Sequence, residues 1–324
     1  MKKFVWLLIV LFLVFANLFV LAEANTVIKI ASINDPTHIS VRTANKFKEI
    51  VEDASNKDIT VEVIASGALG SEKETIEAIS VGGLEAVIGG LTPIELYAPK
   101  YAFVNAPFVI RNWDHWLSVW NSDLGQEIRD ITAKQGNIIY LGALYAGQRH
   151  FIANKPVYTP SDVQGFKLRL PNFPSWIKVW QEIGALPTPI AFPETYTSLK
   201  LGVADGLETD FIGVLSSHFY EIEEYISMTG HLIQSLVLTM NKDLFDSLSS
   251  EHQQLVTNSA EEACIWGTAE LLSIEKDMME ELKDKGMKIV EAERELFFEA
   301  ARPAIEELFK TEYTVTTWDE VLSY

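Results

Sequence analysis

The 324-residue chain has a single cysteine, Cys264. That excludes an intrachain disulfide and any cysteine cluster that would ligate a metal. Its six histidines, His38, His115, His150, His218, His231 and His252, stand at no spacing that puts two ligands on one helix face. HExxH, GxSxG, Walker A, GxGxxG and EF-hand patterns are all missing, so neither a metal nor a cofactor is expected. Positive charge is scarce: 26 Lys and Arg stand against 45 Asp and Glu, a formal net charge of −19. Such a field repels nucleic acid, and no basic patch offsets it. Beyond Leu21 no apolar run approaches transmembrane length. Repeats and low-complexity linkers are absent too, which predicts that the chain crosses between domains on strands.

The first 24 residues read as a secretory signal peptide. Lys2 and Lys3 precede an apolar run from Phe4 to Leu21, broken only by Asn17, and Ala22-Glu23-Ala24 is a small-x-small cleavage site. Cleavage after Ala24 is expected, although the run is long enough to serve as an uncleaved anchor. Without Lys2, Lys3 and Glu23 the chain carries 24 basic and 44 acidic side chains, a net of −20. About 300 residues remain, enough for two domains with full cores. Cys264 reads as a small residue on the buried face of a helix.

What is present is a pair of arginines in apolar, strand-like settings, Arg149 and Arg169, out of only seven in the chain. A guanidinium is always charged and its planar fork fits a carboxylate bidentately. Burying one without an anion is costly. Each therefore reads either as a ligand contact or as a partner of one of the many acidic residues, and Glu208 is the obvious partner for Arg169.

Thr26–Ile33, Ile59–Ala65 and Leu84–Gly89 have strand patterns, with helices at His38–Ala54 and Glu72–Val81 between them. That β-α-β-α-β order implies a parallel sheet flanked by helices. Further strands are predicted at Asn137–Tyr145, Phe166–Leu170, Val203–Glu208 and Met287–Val290, and helices at Phe173–Ile183, Glu194–Leu199 and Glu291–Phe309. Ser161 is read as capping a short turn. Ser250 with Gln253 resembles a capping box that opens a helix from Glu251 to Lys285, roughly 50 Å long at 1.5 Å per residue. A helix of that length would run along both domains.

His38, near the end of the first strand, is a candidate cleft residue. His150, if its segment is a strand, points away from Arg149. Trp113, Trp116 and Trp120 recur at helical spacing and read as core; Trp176, a turn before Trp180, could wall a ligand site. Phe192 lies at a strand end, where crevices form in α/β sheets. Asp205, Glu208 and Asp210 cluster after a strand, but Asp205-Gly206 reads more simply as a bend.

Several segments together resemble the extracytoplasmic solute-binding proteins of TRAP transporters (tripartite ATP-independent periplasmic), in their DctP-like branch. They are Pro36-Thr37-His38, Gly67-Ala68-Leu69-Gly70-Ser71-Glu72, Ala106-Pro107-Phe108, Ala153-Asn154-Lys155-Pro156, Gly165-Phe166-Lys167-Leu168-Arg169, Gly184-Ala185 with Pro187-Thr188-Pro189, and Asp205-Gly206-Leu207-Glu208. The resemblance covers residues 26–310. It implies a two-domain, periplasmic-binding-protein-like α/β clam with discontinuous domains and a long domain-spanning helix. The expected domains are residues 25–146 with 235–274, and 147–234 with 275–324.

The resemblance further implies that Arg169 pairs bidentately with a substrate carboxylate, that Arg149 assists, and that Asn172 and Phe192 line the site. Many relatives have Asn where this chain has Thr209, which lacks the amide's paired donor and acceptor. Sialic-acid-binding relatives often carry a glutamate where Gly89-Gly90 stands here. The expected function is capture of a small organic acid in the periplasm by a monomer, with hinge closure and delivery to TRAP membrane subunits. The ligand-binding residues expected are Arg169, Arg149, Asn172, Phe192, Thr209, His38 and Trp176. Competing readings are a sensor subunit of the same fold, or a secreted hydrolase or lyase using the Asp205 and Glu208 carboxylates.

Overall fold

The computed structural model describes residues 26–324. The signal peptide read from residues 1–24 lies outside them. The chain begins with β1 (Thr26–Ala31), α1 (Ile39–Ala54), β2 (Ile59–Ile64), α2 (Glu72–Ser80) and β3 (Ala86–Gly89). β1 pairs in parallel with both β2 and β3, as the alternating pattern predicts. α1 buries Val41, Ala44, Phe47 and Val51 on one face. Its N-cap is His38, whose Nδ1 accepts the Ser40 N–H at 3.1 Å. α2 opens with a reciprocal capping box between Ser71 and Glu74.

α3 (Thr92–Tyr97), α4 (Trp113–Trp120) and α5 (Asp123–Gly136) complete the first lobe's flank. Trp113, Trp116 and Trp120 stack along α4 with centroids 4.9 and 5.0 Å apart, and the latter two are core. β4 (Ile138–Ala153) follows, a strand of 16 residues. The second lobe follows: β5 (Lys167–Leu170), α6 (Pro174–Ile183), β6 (Leu186–Pro189), α7 (Thr195–Lys200), β7 (Gly206–Thr209) and α8 (Phe211–Ser216). β8 (Tyr225–Asn241) returns antiparallel to β4. α9 (Lys242–Ser247), α10 (Ser250–Asp284), β9 (Lys288–Val290), α11 (Arg294–Thr311) and α12 (Trp318–Ser323) end the chain.

The strands form one sheet in the order β2-β1-β3-β8-β4-β7-β5-β6, with β9 also paired to β8. Two parallel three-stranded ribbons thus hang on a central antiparallel pair. β3 pairs with Val237–Met240 of β8, and β7 with His150–Ala153 of β4. Both long strands therefore belong to both lobes. Between those anchored stretches the register shifts at Tyr145/Gln148 and Arg149/Phe151. Gly147 and Gly230 adopt positive φ there, at 106° and 50°.

α10 is a single 35-residue helix. Its first part buries Val256, Ala260, Cys264 and Leu271, and its last turns bury Met278 and Leu282. Cys264 is buried, and burial pushes its thiol pKa up to about 12, so it is unreactive.

Some local expectations are displaced. The turn before β5 is capped by Thr159 with Asp162, because Asp162 reaches back to the Thr159 amide, so Ser161 is not the cap. α10 is capped one residue earlier than read, by Ser249, which accepts the His252 N–H; Gln253 turns its amide to the Phe245 and Leu248 carbonyls instead. β8, the longest strand, is not visible as a strand in the sequence. It is buried almost throughout, so Tyr225–Asn241 shows no alternation.

Candidate functional site

The carboxyl ends of β1, β3, β5, β6 and β7 converge on one cavity of about 600 Å³ between the lobes. Residues just beyond those ends line it: Asn34 and His38 after β1, Leu91 and Thr92 after β3, Asn172 after β5, Ile190 and Phe192 after β6, Asp210 after β7. This is the crevice position common to open α/β sheets. All seven residues singled out by sequence, His38, Arg149, Arg169, Asn172, Trp176, Phe192 and Thr209, line this single cavity.

The two arginines are in different electrostatic states. Arg149 leaves β4 and meets Glu208 of β7, with Nε to Oε2 at 2.5 Å and Nη2 to Oε1 at 2.8 Å. Its Nη2 also donates to the Glu208 carbonyl at 2.6 Å, and Nη1 to Gln234 Oε1 at 2.7 Å. The guanidinium lies 5.0 Å over the Trp176 ring. His231 Nε2 lies 3.1 Å from the same carboxylate. Burial alone would raise the Glu208 pKa, but the Arg149 charge and these hydrogen bonds outweigh it and hold the carboxyl below its usual range. Glu208 is therefore an ionised, saturated partner.

Arg169, the expected partner of Glu208, is not paired with it. Its Nε and Nη2 both donate to Ile190 O, at 2.9 and 2.6 Å, and its guanidinium stands 5.5 Å over the Phe192 ring. Among the described residues it has no carboxylate within ion-pair distance and Nη1 has no protein acceptor, yet only 2% of its surface is exposed. Desolvation brings its pKa down to about 9, with Arg149 adding repulsion and Glu208 opposing it. A cation held this way calls for an anion.

The remaining positions follow from backbone geometry. Pro174 opens α6 at its first turn, where its missing N–H is harmless, and places Trp176 one turn beyond Asn172. Trp176 is buried; its indole N–H donates to Asn105 O of the other lobe at 2.5 Å. Thr209 is the buried last residue of β7. His38 is buried too, and burial lowers its pKa to about 3, so the ring is neutral. Because Nδ1 accepts the Ser40 amide proton, the ring proton resides on Nε2, which has no protein partner among the described residues.

His150 points away from this site, as expected, accepting the Gly230 N–H at 3.1 Å. Asp205 and Glu208 do not form an acid–base pair: Asp205 is exposed and accepts the Lys167 amide, while Glu208 is buried beside Arg149.

Two carboxylates in the cavity went unread in the sequence. Glu72, the first residue of α2, accepts from Thr92 Oγ1 at 2.6 Å and lies over the Gly89-Gly90 turn. A Cβ on Gly90 would stand 3.1 Å from its Oε1. Glu95 of α3 accepts from Asn105 Nδ2 at 3.0 Å, and burial pushes its pKa up to about 7. Glu72 closes the Gly67–Glu72 segment of the family resemblance, but no pattern set it or Glu95 among the expected ligand contacts.

The model of the bacterial extracellular solute-binding proteins, family 7 (DctP), matches residues 30–312. The chain belongs to this family. A solute-binding protein of Roseobacter denitrificans is 30% identical over 262 residues, covering 81% of this chain and 80% of its own. The crystal structure of a TRAP periplasmic solute-binding protein from the same organism, with bound L-galactonate, superposes with a TM-score of 0.84 at 27% identity, covering 90% of this chain and 98% of that one. That of a TRAP periplasmic solute-binding protein from Pseudomonas putida F1, with bound D-glucuronate, gives 0.85 at 29% identity, covering 92% and 97%. The chain is a periplasmic TRAP solute-binding protein with the family's two-domain α/β fold, and not an enzyme.

Proposed function

We propose that the cavity holds an organic acid with its carboxylate on Arg169, and that opening and closing of the lobes delivers it to TRAP membrane subunits. The single observation that carries this reading is the state of Arg169. It is buried, faces the cavity and, among the described residues, has only the Ile190 carbonyl as hydrogen-bond acceptor. A bidentate carboxylate would neutralise it in a low-dielectric site where each charge-assisted bond is strong. Arg149, whose nitrogens all have protein acceptors, occupies Glu208 so that it cannot neutralise Arg169. Asn172, Thr209 and the His38 Nε2–H offer hydrogen bonds to the rest of the ligand, and Phe192 and Trp176 its apolar walls.

In this reading one domain is residues 25–146 with 235–274 and the other 147–234 with 275–324. The register shifts of β4 and β8 near residues 145–149 support the first crossing. The last helix nonetheless rests on the first lobe, where His115 Nε2 meets Val321 O at 2.8 Å. The mature chain begins after Ala24 and works as a monomer.

A thermal-shift screen against organic acids tests the reading. The fitting acid raises the wild-type Tm by linkage and leaves Arg169→Ala unmoved. An equal shift in both proteins would sink it.

A further inference from the structure

The Ala106-Pro107-Phe108 segment does not line the cavity, yet with Asn105 it ties the first lobe to the rest of the molecule at two points. Phe108 N–H donates to His231 O of β8 at 2.6 Å. Its ring packs against His231 and Phe298, with centroids 6.0 and 6.4 Å away. A φ of 64° is rare for an aromatic residue and persists only where the surroundings hold it. Three residues earlier, the Asn105 carbonyl accepts the Trp176 indole N–H at 2.5 Å. The Asn105 side chain is fixed from within the first lobe, its Nδ2 donating to Glu95 Oε1 at 3.0 Å. Both partners of the segment lead to one guanidinium. The Trp176 ring lies 5.0 Å from Arg149, and His231 Nε2 lies 3.1 Å from Glu208, which Arg149 binds.

The two tie points differ in what they join. β8 carries both parallel ribbons, so Phe108 is anchored to a frame common to the lobes. Trp176 stands on α6, an element of the second lobe alone, so the Asn105–Trp176 bond runs from lobe to lobe. α11 backs both sides through ring contacts, Phe309 against Phe103 and Phe297 against Trp180. Packed rings can slide past one another, whereas a directional bond has to break. The lips at Gly67 and Pro193 touch by van der Waals contact, since a Cβ on Gly67 would stand 2.8 Å from Pro193 Cγ. We infer that Asn105 is the latch of the closed form. Its carbonyl, held in place by the Phe108 anchor and by Glu95, retains Trp176 and with it the second lobe, so that ligand release requires this bond to break. The inference rests on the reading that the lobes open and close around an organic acid. Asn105 is a positioning residue here, acting through Trp176.

Stopped-flow kinetics on the mature protein, Trp176→Phe, Asn105→Ala and the double variant test this. The probe is whichever of D-glucuronate, L-galactonate, D-erythronate and succinate most raises the wild-type Tm. Each single variant should speed dissociation about three- to tenfold, the worth of one hydrogen bond, with association within about twofold of wild type. The double variant should release the acid no more than about twofold faster than the faster single one, because both changes undo the same contact. Unchanged dissociation in both single variants would overturn the inference, as would effects that multiply in the double variant or fall on association. If Trp176→Phe loses the wild-type circular dichroism, Asn105→Ala decides by its dissociation rate alone. Arg169→Ala separates the two claims. If it abolishes binding while the latch variants behave as wild type, only the latch fails; if it leaves binding intact, the clamp fails and the latch is still read from the dissociation rates. If none of the four acids raises the Tm, the organic-acid reading fails and the latch with it.

Discussion

Arg169 and Arg149 lie on strands either side of β7, and strand register decides which of them is neutralised. The parallel register pairs Arg169 with Leu207, so Glu208 leaves the opposite face of the pleat. The antiparallel register sets Glu208 opposite Phe151, within reach of Arg149. The sequence makes both arginines and the glutamate visible, but a cross-strand partner depends on register, and no local pattern encodes that. Two outcomes follow at this scale. Arg169→Lys keeps the charge and loses the fork, and should weaken ligand affinity by roughly 10-fold or more in calorimetry. Glu208→Gln should lower stability by about 3–5 kcal/mol, read by denaturant titration, because it leaves the buried Arg149 with Asp210 at 4.0 Å as its remaining anion and replaces one of the two oxygens that serve Arg149 and His231.

Elements with one exposed face were easily read: β1, α1 and β2 lie within a residue or two of their predicted limits. α10 was legible from its length and its Gly286 stop, with its cap misread by one position. β8 was not, since burial on both faces erases the period-two signal, and His231, Thr239 and Gly230 break the apolar run. β4 and β8 are also the strands that carry both parallel ribbons, and Gly147 lies among their register shifts. At φ 106° a side chain there is strained, and its Cβ would sit 3.2 Å from the Cβ of Asp210, the cap of α8. Gly147→Ala should therefore cost about 1–3 kcal/mol in denaturant titrations, despite being a small-to-small change.

Across the whole molecule, opposing sets of buried groups shape the pH response. Burial lowers the pKa of His38 and His150 to about 3, and also lowers that of His231. Unfolded histidine takes up a proton near pH 6.5 while these do not, so their contribution is full above that pH and is lost as pH falls, at roughly 1.4 kcal/mol per pH unit for each group. Burial raises Asp210 to about 6, Glu95 to about 7 and Glu223 to about 8, and raises Glu72 and Glu275 as well, so their folded state keeps protons that the unfolded chain has released. That contribution is full below about pH 4 and is lost as pH rises through 6 to 8. The two sets offset one another between about pH 4.5 and 6, so stability should change little there and fall from about pH 6.5 to 8, where only the carboxyl groups still titrate. Relative to wild type, Glu95→Gln should gain stability between pH 4.5 and 8. A Tm that climbs steadily toward pH 4.5 would contradict this balance.

The two-lobed architecture was legible because several short motifs occur in family order; the acidic first-lobe wall was not, because Glu72 and Glu95 are ordinary helix residues until the fold turns them inward. The whole account depends on the second-lobe cation they face. Its most direct test is calorimetric titration of Arg169→Ala with whichever acid most raises the wild-type Tm. The account predicts no measurable binding at ligand concentrations about 100-fold above the wild-type Kd. An affinity within about threefold of wild type, in a variant with unchanged circular dichroism, would contradict it.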